Sequence, residues 1–200
     1  MKNNKFITVA IDSEASAGGG TQAKLISKHF NLYYLDTGKI YRYIALLKKK
    51  YPNKFNKKLI KNKIKNLTAS QLQNKILLSE EIGSAASQIA KKLYIRKMVY
   101  KFQIKCAYSP PSKFNGSCLD GRDITTKIMP NAMFKFFIVA NSNIRAKRRF
   151  IELKKINTKT SLKEVLKSIK IRDKSDYQRK HSPLKRTKDQ VLINSSNLSK

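Results

Sequence analysis

From Ile7 to Ile26 the chain reads ITVAIDSEASAGGGTQAKLI: an apolar run, a loop of small residues and the start of a helix. After a buried strand, such a turn aims backbone N–H groups and the positive helix end at one point, an arrangement suited to phosphate. Gly18, Gly19 and Gly20 let the main chain approach a phosphate closely. Thr21 can offer its hydroxyl to a magnesium ion bridging β- and γ-phosphates. A loop of this kind ordinarily ends Gly-Lys-Ser/Thr. Here Gly18 and Thr21 keep the ends, Gly19 stands at the lysine, and Ser13 replaces the first glycine. The plainer alternative is an ordinary glycine-rich turn.

Three more constellations follow. Leu35-Asp36-Thr37-Gly38-Lys39-Ile40-Tyr41-Arg42 ends a strand and opens a helix, with Thr37 and Arg42 about one and a half turns apart. A hydroxyl and a guanidinium near a helix N-terminus suit a second, smaller phosphate, although a cap followed by a surface arginine would read the same way. Asp120-Gly121-Arg122-Asp123 closes a third apolar run. At the carboxyl end of a parallel strand it faces the crevice where open α/β sheets bind ligands. An Arg-Asp pair there could serve a phosphate and a base or sugar, or form a salt-bridged turn. Lastly, Arg145-Ala-Lys-Arg148-Arg149 and Arg172-Asp173-Lys-Ser-Asp176-Tyr-Gln-Arg179 stack cations at helical spacing. Arg149, Arg172 and Arg179 could close over a transferring phosphoryl group. Solvated helix faces are the usual meaning of such runs, but arginine binds phosphate bidentately and stands out against so much lysine.

The elements that would position these groups read as α/β. Buried strands are expected at Phe6 to Asp12, Tyr33 to Asp36, Ser117 to Asp120, Lys135 to Ala140 and Gln190 to Asn194. Between them lie helical stretches at Thr21 to Phe30, Gly38 to Lys50, Asn143 to Lys155 and Ser161 to Arg172. The first should face inward with Ala23, Ile26 and Phe30, the second with Ile40, Ile44 and Leu47. This alternation predicts a five-stranded parallel sheet with helices on both faces. Residues 51–92 are lysine-rich and polar and read as an insert of roughly forty residues without strands. The sequence stops at SSNLSK soon after the last strand, so the helix that usually follows is expected to be absent.

Two hundred residues with 40% hydrophobic content suffice for one domain with a real core. No apolar run approaches the ~18 residues of a membrane span, and MKNNKF leads straight into a strand without room for a signal peptide. Cys106 and Cys118 are too few for a disulfide framework. A reduced, cytoplasmic protein is the expectation. The net charge of +32 would ordinarily point to nucleic acid. Lysine here is scattered and accompanied by Asn and Ile, as AT-rich codon usage produces, so bulk charge alone does not choose between a nucleotide and RNA.

In this order and at these intervals the segments resemble bacterial cytidylate kinase, a P-loop nucleoside monophosphate kinase. The matching stretches are the AID…GGT loop, YLDTGKIYR, SEEIGSAASQIA, DGRDITT, the RRF run, and IKIRDKSDYQR followed by SPL. The resemblance implies transfer of the γ-phosphoryl group of ATP to CMP, and to dCMP, with Mg2+ held at Thr21. It places Asp12, Ser13, Glu14, Ala15, Ser16, Ala17, Gly18, Gly19, Gly20 and Thr21 at ATP. It places Thr37, Arg42, Ser87, Arg96, Arg122, Asp123, Asp176 and Arg179 at CMP. There the arginines take phosphate or sugar, Ser87 and Asp123 read the cytosine edge, and Asp176 with Arg179 holds the ribose. Arg149 and Arg172 match lid arginines that approach the transferred group. The domain division implied is a single domain, 1–200, with a core (1–50 and 93–200), a nucleotide-binding insert (about 51–92) and a lid (about 149–178). Partners would be ATP and CMP or dCMP, without nucleic acid or membrane, in a monomer serving pyrimidine metabolism. Two departures matter: Ser13-Glu14 replaces Gly-Pro, and Gly19 replaces lysine. Three readings follow: an active kinase with its cation supplied by Lys24 or the lid, a degenerate homologue that binds without turnover, and a basic nucleic-acid module.

Overall fold

A computed structural model describes residues 6–155 and 159–198. Five strands, β1 (Ile7–Ser13), β2 (Tyr33–Asp36), β3 (Gly116–Gly121), β4 (Phe134–Val139) and β5 (Val191–Asn194), form one sheet in the order β2-β3-β1-β4-β5. All four pairings are parallel. β1 and β3 at its centre are buried almost throughout, which is why they read as unbroken apolar runs, whereas edge strand β5 is largely exposed. The expected strands are all present, with ends shifted by about a residue.

The chain leaves β1 for β2, then returns to lay β3 between them, so the order reverses beside β1. The carboxyl ends of β1, β2 and β3 share one rim, with Asp36 paired to Asp120 and Asp12 to Gly121. Ligands of open parallel sheets bind at such a rim.

Helices α1 (Gly19–Phe30) and α2 (Thr37–Lys50) start directly from it. Asp36 caps α2 by accepting the Lys39 N–H at 3.2 Å. Ile40, Ile44 and Leu47 are buried as expected. On α1 the inner face is Ala23 and Ser27, while Phe30, expected inside, is exposed and packs edge-on against His29. Residues 51–92 are helical wherever regular: α3 (Lys57–Lys65), the single turn α4 (Ala69–Leu72), 3-10 turns at Pro52–Lys54 and Lys75–Leu78, and α5 (Glu80–Ala90), which lies along α2. Buried Ile60, Ile64, Leu77, Ile82 and Ile89 join this segment to the core cluster built on α2.

α6 (Leu93–Tyr108) was not anticipated. Its apolar residues ring the helix instead of forming a stripe: Ile95, Val99 and Ala107 are buried while Leu93, Tyr100 and Tyr108 are exposed. A π-turn (Ile124–Ile128) follows β3. α7 (Ser142–Lys154) and α8 (Leu162–Gln178) pack on each other around Ala146, Leu153, Val165 and Ile169. α8 runs six residues beyond the expected Arg172, which brings Asp173, Asp176 and Arg172 onto one helix. Residues 156–158 of the expected lid, with 1–5 and 199–200 of the expected domain, lie outside the described residues.

Candidate active site

The loop from Glu14 to Gly18 connects β1 to α1 with two residues in left-handed geometry, Ser16 (φ 61°) and Gly18 (φ 94°). Gly18 meets a requirement that a Cβ would strain, while Ser16 tolerates the strain in a tight turn. No side chain caps α1, and its first turn carries no acidic residue. The partial positive charge of that helix end therefore opens onto the rim.

Arg145 of α7 anchors the loop. It donates to the carbonyls of Ala140 at 2.7 Å and Ala15 at 3.1 Å, and to Asp173 Oδ2 at 2.7 Å. Its Nε is also 3.5 Å from Glu14 Oε2. The Tyr177 hydroxyl donates to Glu14 Oε1 at 3.2 Å. The Glu14 charge, expected to oppose phosphate if it faced inward, is thus held by a cation and a phenol. On the other side Ser195 Oγ donates to the Ala17 carbonyl at 2.6 Å and accepts from Arg148 at 3.0 Å.

Two members of the predicted ATP group do not reach the cleft. Asp12 is fully buried and accepts from the Ile124 and Thr125 N–H groups at 2.7 and 3.0 Å and from the Thr125 hydroxyl. Burial pushes its carboxyl pKa up, against those donors. It holds the π-turn behind β3 and does not face a ligand. The Ala15 side chain is likewise enclosed. Every other predicted residue, from Ser13 and Glu14 through Ser16 to Thr21 and on to Arg179, lines a single cleft of about 710 Å³.

At the rim of β2 and β3 lies an acidic corner. Asp120 is buried against the Gly20 end of the loop, and burial followed by the Asp36 charge raises its carboxyl pKa to about 8. Asp120 Oδ1 has no hydrogen-bond partner among the described residues. Thr37 donates its hydroxyl to the Asp120 carbonyl at 2.8 Å.

Deeper in the cleft, charges alternate. Arg96 pairs with Asp123, whose other oxygen lies 4.0 Å from Arg179. Arg179 reaches Asp176 at 3.3 Å, and Arg122 reaches the same carboxylate at 2.9 Å. Ser87 of α5 faces Ser175 of α8 at 3.4 Å, so α5 and α8 close one wall. Three guanidiniums share two carboxylates, leaving room for one more anion. Buried charges are tolerated because each has partners.

A second group of arginines lines the same cleft. Arg42 donates to the Leu77 carbonyl at 2.6 Å, with its guanidinium lying over Gly83, where no side chain obstructs it. Burial and the charges of Arg172 and Arg149 push its pKa down to about 9. Arg149 lies 3.6 Å from Glu80 and 3.2 Å from Glu152. Burial opposes the Glu80 charge, but the Ser168 hydroxyl and the Arg172, Arg149 and Arg42 charges outweigh it and hold its pKa low. Among the described residues Arg172 has no hydrogen-bond or ion-pair partner. Burial and the Arg122 charge disfavour its cation. A cluster of this kind is completed by a polyanion.

The quoted motifs contain Asp36, Asp120, Glu80 and Arg148, but sequence alone assigns none of them a role in the site. The two aspartates are marked as the last acidic residues of adjacent parallel strands. The partners of Glu80 and Arg148 come from other elements, which spacing along the chain does not encode.

A family profile described as cytidylate kinase matches residues 9–200. Over 98% of this chain and 89% of the relative, the sequence is 40% identical to a cytidylate kinase of Bartonella henselae. A cytidylate kinase of Clostridium tetani is also 40% identical, over 96% of this chain and 87% of its own. One from Thermosipho melanesiensis is 36% identical over 96% and 90%. With a glycine loop, an arginine-lined cleft and an Asp123-centred ion-pair web all on one rim, this chain belongs to the cytidylate kinase family.

Proposed function

We propose that this protein transfers the γ-phosphoryl group of ATP to CMP, and to dCMP, giving CDP or dCDP and ADP. The observation that carries this reading is the continuity of the cleft. The uncapped end of α1 and the Asp123 web line the same 710 Å³ volume, with Arg149 and Arg172 on its wall. Two nucleotides can lie there phosphate to phosphate. An in-line displacement needs positioning and charge neutralisation, and a monophosphate oxygen is already an anionic nucleophile. No general base is required.

In this reading the loop Ser13 to Thr21 cradles the ATP phosphates through its backbone. Ser87 and Asp123 take the cytosine edge, with Asp123 oriented by Arg96. Asp176 and Arg179 hold the ribose, and Arg122, Thr37 and Arg42 receive the CMP phosphate. Arg149 and Arg172 neutralise charge on the transferred group. Residues 51–92 serve as the nucleotide-binding insert, and residues of about 149–178 as the lid. The donors present fit magnesium: Thr21 lies in the first turn of α1, and Asp120, set against the neighbouring Gly20, keeps a buried oxygen unpartnered among the described residues. Thr21 and Asp120 would hold Mg2+, which when bound screens charge between β- and γ-phosphates. The preserved Asp123 web and the pairing of Glu14 favour turnover over a degenerate binder. We expect ATP-dependent CDP formation by the wild type, and its loss by at least about a hundredfold in Arg122→Ala and Arg179→Ala. Unchanged rates in both variants would contradict the assignment.

A further inference from the structure

The two departures in the glycine loop meet in space. A methyl group at residue 19 would run into Ser13 Oγ and lie 2.8 Å from Ser13 Cβ, with Ile11 Cγ2 next at 3.6 Å. Separations that short do not occur between real side chains, so any side chain at 19 must displace Ser13. Gly19 does not have a left-handed φ, so its backbone would accept a side chain, and the obstacle is Ser13 alone. Ser13 is the last residue of β1, rigidly held in the sheet, 3% exposed and at the cleft wall. A glycine at 13 would open the channel that a side chain from 19 needs. A side chain at 19 therefore fits only with a glycine at 13, and the serine at 13 fits only with a glycine at 19.

Resting on the ATP-binding reading above, we propose that Ser13 fills the space where a side chain at 19 would begin and presents its hydroxyl to the ATP phosphates. Positions 13 and 19 then form a reciprocal pair. A neutral donor on a strand replaces a mobile cation on a helix, and the net positive charge comes from the arginines across the cleft. Gly19→Lys alone does not restore a lysine contact, because Ser13 stands in its path.

The test is a double-mutant cycle of wild type, Ser13→Gly, Gly19→Lys and the double variant. Melting temperature without nucleotide and KM for ATP with magnesium are read on each. Gly19→Lys is expected to lower the melting temperature and leave KM for ATP no better. The double variant recovers the melting temperature and lowers KM for ATP about tenfold, the scale of one charged hydrogen bond. Ser13→Ala raises KM for ATP about fivefold, the scale of one neutral hydrogen bond, without loss of melting temperature. Should Gly19→Lys fail to fold, Gly19→Ala with and without Ser13→Gly supplies the same cycle by melting alone. The proposal is overturned if Gly19→Lys lowers KM as far as the double variant at no cost in stability, or if Ser13→Ala leaves KM unchanged. A wild type that forms no diphosphate at all would instead contradict the kinase reading, and the melting cycle would still report on the pair.

Discussion

Asp123 is the residue on which the deep half of the cleft depends. It is 5% exposed and balances Arg96 and Arg179, themselves 8% and 9% exposed. Removing the carboxylate leaves two buried guanidiniums short of a partner, a defect of about 3–5 kcal/mol. Asp123→Ala should therefore lower the melting temperature by roughly 10 °C in a chain of this size, by scanning calorimetry. Asp123→Asn, which keeps a hydrogen-bond acceptor, should lose less stability but discriminate less between cytosine and uracil. Equal stability of Asp123→Ala and wild type would show that the web is not balanced through this residue. At this scale, most of the site was legible because its side chains are arginine and aspartate in a lysine-dominated chain. The exceptions are instructive. Asp12 sits in the loop motif yet serves the π-turn, since its partners Ile124 and Thr125 are far away in sequence. The neutralisation of Glu14 by Arg145 and Tyr177, and the collision of residue 19 with Ser13, depend on contacts that spacing along the chain does not encode.

Between elements, Glu80 at the start of α5 is the carboxylate that faces Arg42 of α2, Arg149 of α7 and Arg172 of α8. Because its folded pKa lies below the ordinary value of 4.5, the folded chain releases this proton more readily than the unfolded one. The stability it contributes is present above about pH 4.5 and is lost as pH falls through the folded pKa. With allowance for solvent at a partly exposed site, that contribution is about 1 kcal/mol. Glu80→Gln should melt about 2–4 °C below wild type at pH 7, and the gap should narrow as pH falls below about 4.5. A gap that persists at low pH would mean that Glu80 acts through packing instead of charge. The elements themselves were read from two periodicities. Strands covered on both faces gave unbroken apolar runs, and α2 showed a clean Ile40, Ile44, Leu47 stripe. α6 escaped because apolar side chains encircle it, some in the core and some exposed, so no stripe marks it as a helix. α8 was cut short because its last turns carry charges that turn into the cleft.

For the whole molecule, the issue is what a charge of +32 is for. Lysine and arginine behave differently. Of nine arginines, seven line the cleft, while only three of thirty-five lysines do so among the described residues. The lysines are a background consistent with biased composition, and the arginines are placed. A surface built to track a nucleic-acid backbone would spread its guanidiniums over an outer face. Here they converge on one concave site beside an open helix N-terminus, which fits a compact polyanion such as two nucleotides. What has to be tested is that this site transfers the γ-phosphoryl group of ATP to a cytidine monophosphate, releasing ADP. The most direct test is a coupled diphosphate-forming assay with millimolar ATP and magnesium, run in parallel on CMP, dCMP, UMP and AMP. CMP and dCMP are expected to turn over with kcat/KM at least roughly tenfold above UMP and AMP. No CDP from CMP under these conditions, or a preference for AMP, would contradict it.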